Sequence, residues 1–130
     1  WKRNIYSYPP IGSPDGGAHV TAADLDRFMR AVLEGRLLSA EQTAAILAPQ
    51  VVCSVRDGWA EHYGFGPWFH VSDDGTLVFL EKEGANAGAS GLVRHYPSRD
   101  LTVVMLSNLE DGVWGPVRTA HEMVLAGAFG

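Results

Sequence analysis

The sequence predicts an α+β fold: an antiparallel sheet of about four strands, two N-terminal helices and one C-terminal helix. Three observations carry this. Two capped amphipathic stretches occupy the first fifty residues. Two pairs of strand-like runs, each joined by turn residues, follow. A proline-started apolar stripe then closes the chain.

Residues 1–18 are turn-rich, with Pro9-Pro10, Gly12 and Pro14-Asp15-Gly16-Gly17, and read as irregular chain leading into a helix. Thr21-Ala22-Ala23-Asp24 has the form of a capping box. Leu25, Phe28, Met29, Val32 and Leu33 then recur at helical spacing as one apolar stripe. Gly35 is a natural stop. Ser39-Ala40-Glu41-Gln42 repeats the capping pattern, with Ala44, Ile46 and Leu47 as apolar positions and Pro49 as the end. Residues 50–61 read as loop. Residues 62–71 are aromatic-rich and read as one strand, bent or bulged at Gly64, Gly66 and Pro67. Asp73-Asp74-Gly75 is a turn, so this strand should pair with 76–82. Residues 92–96 and 101–107 flank Pro97-Ser98-Arg99-Asp100 as a second hairpin.

Residues 101–106, LTVVML, are apolar on both faces. Such a strand needs cover on both sides. The C-terminal helix should cover one face and the N-terminal helices the other. Residues 108–115 read as loop. Pro116 suits a first helical turn. Val113 or Val117, Ala120, Val124 and Leu125 form that helix's apolar stripe, which places His121 and Glu122 on its wet side.

The bulk composition bounds the function. The chain has 130 residues, 46% of them hydrophobic and 19% charged, with a net charge of −5. One core of ordinary size is possible, and disorder is disfavoured. The negative charge without a basic cluster argues against a nucleic-acid partner. No apolar run approaches the roughly 20 residues of a membrane span. The single cysteine, Cys53, rules out an internal disulfide framework and leaves the compartment open. A start at Trp1 suggests a piece of something longer: one partial domain over 1–130, helical over 1–50 and sheet plus helix over 62–130.

The stretch FLEKEGANAGASGLV carries the most chemistry. A lysine ends a greasy run, and the eight residues from Gly84 to Gly91 include no side chain larger than asparagine. A phosphate-binding glycine loop is disfavoured, because a strand rather than a helix follows it. Two readings remain: an ordinary connection passing close to another backbone, or a substrate strand. In the second, small residues let a ligand reach main-chain amides, and Lys82 supplies positive charge.

Five collinear segments resemble the C-terminal part of the superfamily of serine β-lactamases, penicillin-binding proteins and related esterases. PDGGAHVTAADLDRFMRAVLEG is similar to that family's glycine pair and capped Arg-Phe helix. RLLSAEQTAAILAPQ resembles its next short helix. YGFGPW matches its Tyr-Gly-x-Gly-x-Trp strand. KEGANAGASG stands where the family carries Lys-Thr-Gly, His-Thr-Gly or His-Gly-Gly. YPSRDLTVVMLSNLEDG is similar to its late hairpin. The resemblance implies acyl-enzyme hydrolysis of an ester, amide or β-lactam without a cofactor, on a small-molecule or peptide-like substrate. It implies that Lys82 holds substrate carboxylate and tunes the site, and that Gly84 keeps the ligand path clear. The Ala85 N–H would form half of an oxyanion hole, and Asn86 and Gly88 would lie along the ligand edge.

Two features depart from the family. Glu83 stands where Thr, Ser or Gly is usual, and its charge should offset Lys82, which leans toward an esterase or amidase. The family's Ser-x-x-Lys is absent: the only lysines are Lys2 and Lys82, and neither has a serine three residues before it. Tyr6-Ser7-Tyr8 does not match the second motif's setting. The expectation is therefore a site whose nucleophile comes from an N-terminal segment outside this sequence. The alternative is a stand-alone binding or assembly module that closes its apolar face by self-association.

His19, His62, His70, His95 and His121 have no metal-ligand spacing, so no metal site is expected. A triad at Ser90 or Ser107 with Asp100 lacks a nucleophile elbow. Trp59, Tyr63, Phe65, Trp68 and Phe69 read as cleft lining or as core, at even odds.

Overall fold

A computed structural model describes residue 12 and residues 16–129. The proline-rich stretch at 9–10, residues 14–15 and Tyr6-Ser7-Tyr8 lie outside the described residues.

Helix α1 (Ala22–Leu33) starts at the expected capping box. The Asp24 amide donates to Thr21 Oγ1 at 3.2 Å, and the Thr21 amide donates back to Asp24 Oδ2 at 2.9 Å. At its other end Gly35 has φ +65°. Its amide reaches the Val32 carbonyl and that of Arg36 reaches Ala31, a Schellman closure that uses glycine's freedom. Helix α2 (Ala40–Ile46) repeats the box through Ser39 and Gln42.

Six strands follow, not four: β1 (Val51–Arg56), β2 (Trp59–Tyr63), β3 (Trp68–Ser72), β4 (Leu77–Asn86), β5 (Ala89–Tyr96) and β6 (Leu101–Ser107), then helix α3 (Trp114–Leu125). All pair antiparallel in chain order as one meander. The two extra strands come from segments with weak local signals. The expected loop at 50–61 is a hairpin, β1 with β2, turned at Asp57-Gly58. Its alternation is hidden because β1 is an exposed edge strand with a bulge between Val52 and Ser54. The single strand expected over 62–71 is two strands that pair with each other, Tyr63 opposite Trp68. Gly64 allows the reversal. A Cβ there would lie 2.6 Å from the Phe69 ring and 3.0 Å from the Ala48 carbonyl.

The β3–β4 and β5–β6 hairpins form as expected, the second through a short 3-10 turn, Pro97–Arg99. The sheet is covered on both faces, which explains the doubly apolar β6. On one face Met29 of α1 joins Phe69, Leu80 and Val93, with Leu33, Leu47 and Val104 packed around them. On the other, Val124 of α3 meets Phe79 and Tyr96, while Val113 and Val117 meet Leu92 and Met105.

Three side chains depart from their expected places. Leu125 is exposed, as is Phe28 at 57%. His121 is not on a wet face: it stacks on Tyr96 at 5.8 Å and lies edge-on to Phe79 at 5.2 Å. Its helix register turns it toward the sheet together with Val117 and Val124. Among the described residues no helix is long and apolar enough to cross a membrane.

Candidate functional site

Strand β4 changes character halfway. Residues 79–81 are buried and residues 82–86 are exposed. The cause lies in the pairing. The last residue of β4 with a partner on β3 is Glu81, opposite Trp68. From Lys82 onward the strand pairing of β4 among the described residues is with β5, down to Asn86 opposite Ala89. An interior strand thus becomes a local edge, and one side of its backbone loses its ladder. Of the two readings of the small residues, connection or strand, the backbone is strand as far as Asn86. Only Ala87 and Gly88 turn the chain, Gly88 with φ +75°.

This extension lines an open hollow of about 1090 Å³. Lys82, Glu83, Gly84, Ala85, Asn86 and Gly88 all border it. Residues 16–20, Leu25 of α1, and Leu106, Ser107 and Asn108 line it as well. The six residues singled out in the sequence are therefore brought together. A Cβ on Gly84 would meet nothing within 4 Å, so its bareness serves no internal packing. Gly91 differs: a Cβ there would come within 3.1 Å of Leu106.

Strand alternation separates Lys82 from Glu83. Leu80 packs on α1, so Lys82, two residues on, leaves from the same face. Its partner Val93 belongs to that face too. Glu83 pairs with Leu92, which packs under α3. The two side chains leave opposite faces, so the expected offset of charge acts across the strand. Glu83 has acidic company there: its carboxyl is pushed up by burial and by Glu81, against the pull of Lys82.

The loop at 108–112, whose Asn108 borders the hollow, is held by two hydroxyls. Buried Ser90 Oγ donates to the Leu109 carbonyl at 2.7 Å, and the Leu109 amide donates to Ser107 Oγ at 3.0 Å. Both serines have structural partners, and Asp100 sits in the β5–β6 turn, so no triad assembles. Of the five aromatics, Phe69 is core at 0% exposure, Phe65 is 66% exposed, and none borders the hollow.

Behind β4, on the α3 face, lies a polar network that sequence reading missed. Glu81 Oε2 accepts from Arg94 Nε and Nη2, both at 2.7 Å. His70 Nε2 lies 3.4 Å from Glu61 Oε1 and 3.6 Å from Glu81 Oε1. Burial alone would raise the Glu81 carboxyl, but His70 and Arg94 outweigh it and hold it below the usual carboxylate range. Arg94 Nη1 donates to the Tyr96 hydroxyl at 3.4 Å, and that hydroxyl lies 2.9 Å from His121 Nδ1. With Arg94 as its donor, the hydroxyl is free to donate in turn to His121 Nδ1, an imidazole whose pKa is pushed down by burial and by Arg94. The signal in the sequence was the spacing of Glu81 and Arg94 at equal distances from one turn. Among the described residues no cluster of His, Cys, Asp or Glu is arranged to hold a metal ion.

Comparison with known proteins bears on the family and the fold. The family model described as Beta-lactamase matches residues 2–128. No curated protein matches the chain. The crystal structure of a penicillin binding protein from Bacillus halodurans superposes with a TM-score of 0.85 at 31% identity, over 95% of this chain and 36% of that one. The chain thus spans little more than a third of that relative's length. With the family model covering residues 2–128, the chain belongs to the beta-lactamase family of serine hydrolases.

Proposed function

We propose that this chain forms the sheet-side wall of an acyl-transfer site in a longer serine hydrolase, which cleaves an ester, amide or β-lactam through an acyl-enzyme. The observation that carries the reading is the bare, exposed extension of β4 along a hollow, with Lys82 on the hollow's side of the sheet. An edge strand directs every second N–H outward, where a reacting carbonyl can meet it. Ala85 is assigned that amide, Lys82 the cation beside it, and Gly84, Asn86 and Gly88 the ligand's path. Glu83 borders the same path by its backbone.

The nucleophile and its lysine are assigned to a segment outside this chain, in keeping with the 36% of the relative that the chain spans. Alone, this chain should hydrolyse little or nothing. The test is to react the longest natural form with a fluorescent β-lactam and with a fluorophosphonate. A covalent adduct on a serine of a Ser-x-x-Lys segment is the expected result. An intact chain that takes up neither probe overturns the proposal.

A second reading, a non-catalytic module that self-associates, draws on β1, where Val51, Val52 and Val55 are all exposed on an edge strand. The encoding gene separates the two. A Ser-x-x-Lys upstream of Trp1 favours the enzyme, and a start codon beside Trp1 favours the module.

A further inference from the structure

We propose that the buried Glu81–Arg94 pair is a positioning device for the ligand wall, holding β4 at the point where its β3 neighbour ends. The inference rests on the hydrolase reading for its consequence in turnover, but its structural part stands independently.

Glu81 is the last β4 residue flanked on both sides, by Trp68 and by Arg94. The next residue is Lys82, and the proposed oxyanion amide is three residues beyond that. Whatever sets Glu81 therefore sets the root of an extension whose strand partner among the described residues is β5. The pair is well placed for this. Arg94 makes two bonds to one carboxylate oxygen, lies 3.9 Å over the Phe79 ring and reaches Tyr96, which is tied to α3 through His121. Glu81's other oxygen faces His70 on β3. One guanidinium thus braces β4 against β5 and α3, while the carboxylate reaches toward β3.

Cohesion alone does not call for charges here. Burying both groups costs desolvation, and an apolar pair of similar volume holds two strands at least as well. What an apolar pair lacks is direction, because hydrogen bonds fix the strand's position and rotation where dispersion does not. The brace lies on the face opposite Lys82, so it acts on the ligand wall through the backbone and touches no ligand.

The double variant Glu81→Leu/Arg94→Leu removes the brace without orphaning a charge, and Glu81→Gln removes the charge while keeping the shape. Each is made in the longest natural form. Melting temperature, amide hydrogen exchange at residues 82–86 and single-turnover acylation are then measured. The expected result for the double variant is an unchanged melting temperature, with exchange at the β5-paired amides of 82–86 faster by about tenfold or more. Acylation should slow by about 10- to 100-fold, since small misplacements cost that much, while probe affinity changes less. Glu81→Gln leaves Arg94 facing a neutral partner, so it should lower the melting temperature at neutral pH; measured well below that temperature, exchange and acylation should shift in the same directions at smaller size, which keeps the proposal testable if the double variant fails to fold. Native exchange and native acylation in either folded variant overturn it. If the wild type takes up no probe at all, the hydrolase reading fails, and the exchange data still decide the positioning claim.

Discussion

The two halves of β4 share one strand and one neighbour, β5, yet they obey different rules. Residues 77–81 lie beside β3, are joined by β5 from Leu80, and pack their apolar side chains into both faces of the core. Residues 82–86 lose β3, lose cover and lose bulk together. A purely structural extension would keep a side chain at Gly84, where a Cβ has open space. Composition in the first half follows packing, and in the second, on the proposed reading, it follows access.

Substitutions in the two halves should therefore separate stability from chemistry. Leu80→Ala should cost about 2–5 kcal/mol, read by urea unfolding, because it opens a cavity against Met29 and Phe69. A loss under about 1 kcal/mol would mean that the α1 face is loosely packed. Lys82→Ala should leave the fold within about 0.5 kcal/mol of wild type. In the longest natural form it should slow acylation by about 10²–10³-fold, the usual worth of one preorganised electrostatic group. Unchanged kinetics would remove Lys82 from the site.

Gly84→Val should likewise leave unfolding unchanged, since nothing crowds the position, while reducing acylation about tenfold or more by blocking approach. Equal losses in stability and acylation would show instead that Gly84 is there for the backbone.

The pH dependence of the buried half has a definite sign. Glu81 titrates lower in the folded chain than its ordinary value of 4.5, because His70 and Arg94 prevail over burial. Its ionised form stabilises the fold fully above 4.5, and that contribution disappears as pH falls through the lower folded value. Thermal unfolding between pH 6 and about pH 2 should show this loss, and Glu81→Gln should flatten it. Glu83 carries the opposite sign, its carboxyl raised by burial and by Glu81, so Glu83→Gln should raise the melting temperature slightly at neutral pH and not at acid pH. The smallest effect is expected from Glu83→Thr on binding of anionic substrates, about twofold or less, because Glu83 and Lys82 leave opposite faces. A larger gain in affinity would show that their charges meet in the hollow.

Much of this was readable from local chemistry. Capping boxes, a Schellman glycine, turn residues and a doubly apolar run each act within a few residues, so Thr21, Ser39, Gly35 and residues 101–106 announced their structures. The glycine and alanine content after Lys82 marked the candidate wall for the same reason. The β1–β2 hairpin was illegible because an exposed edge strand buries nothing and so shows no period. The split at 64–67 depended on how closely Ala48 and Phe69 approach Gly64, a contact with another element.

By itself the sequence determined the helices, two of the hairpins and the bare stretch, since local hydrogen bonding and side-chain size decide those. Only the tertiary structure decided where β3 stops along β4. That one register turns an interior strand into an edge beside a hollow, places Lys82 and Glu83 on opposite faces, and joins Glu81 to Arg94, His70 and His121 from three other elements. These are relations between segments far apart in the chain, and no local pattern encodes which partner a strand will run out of first.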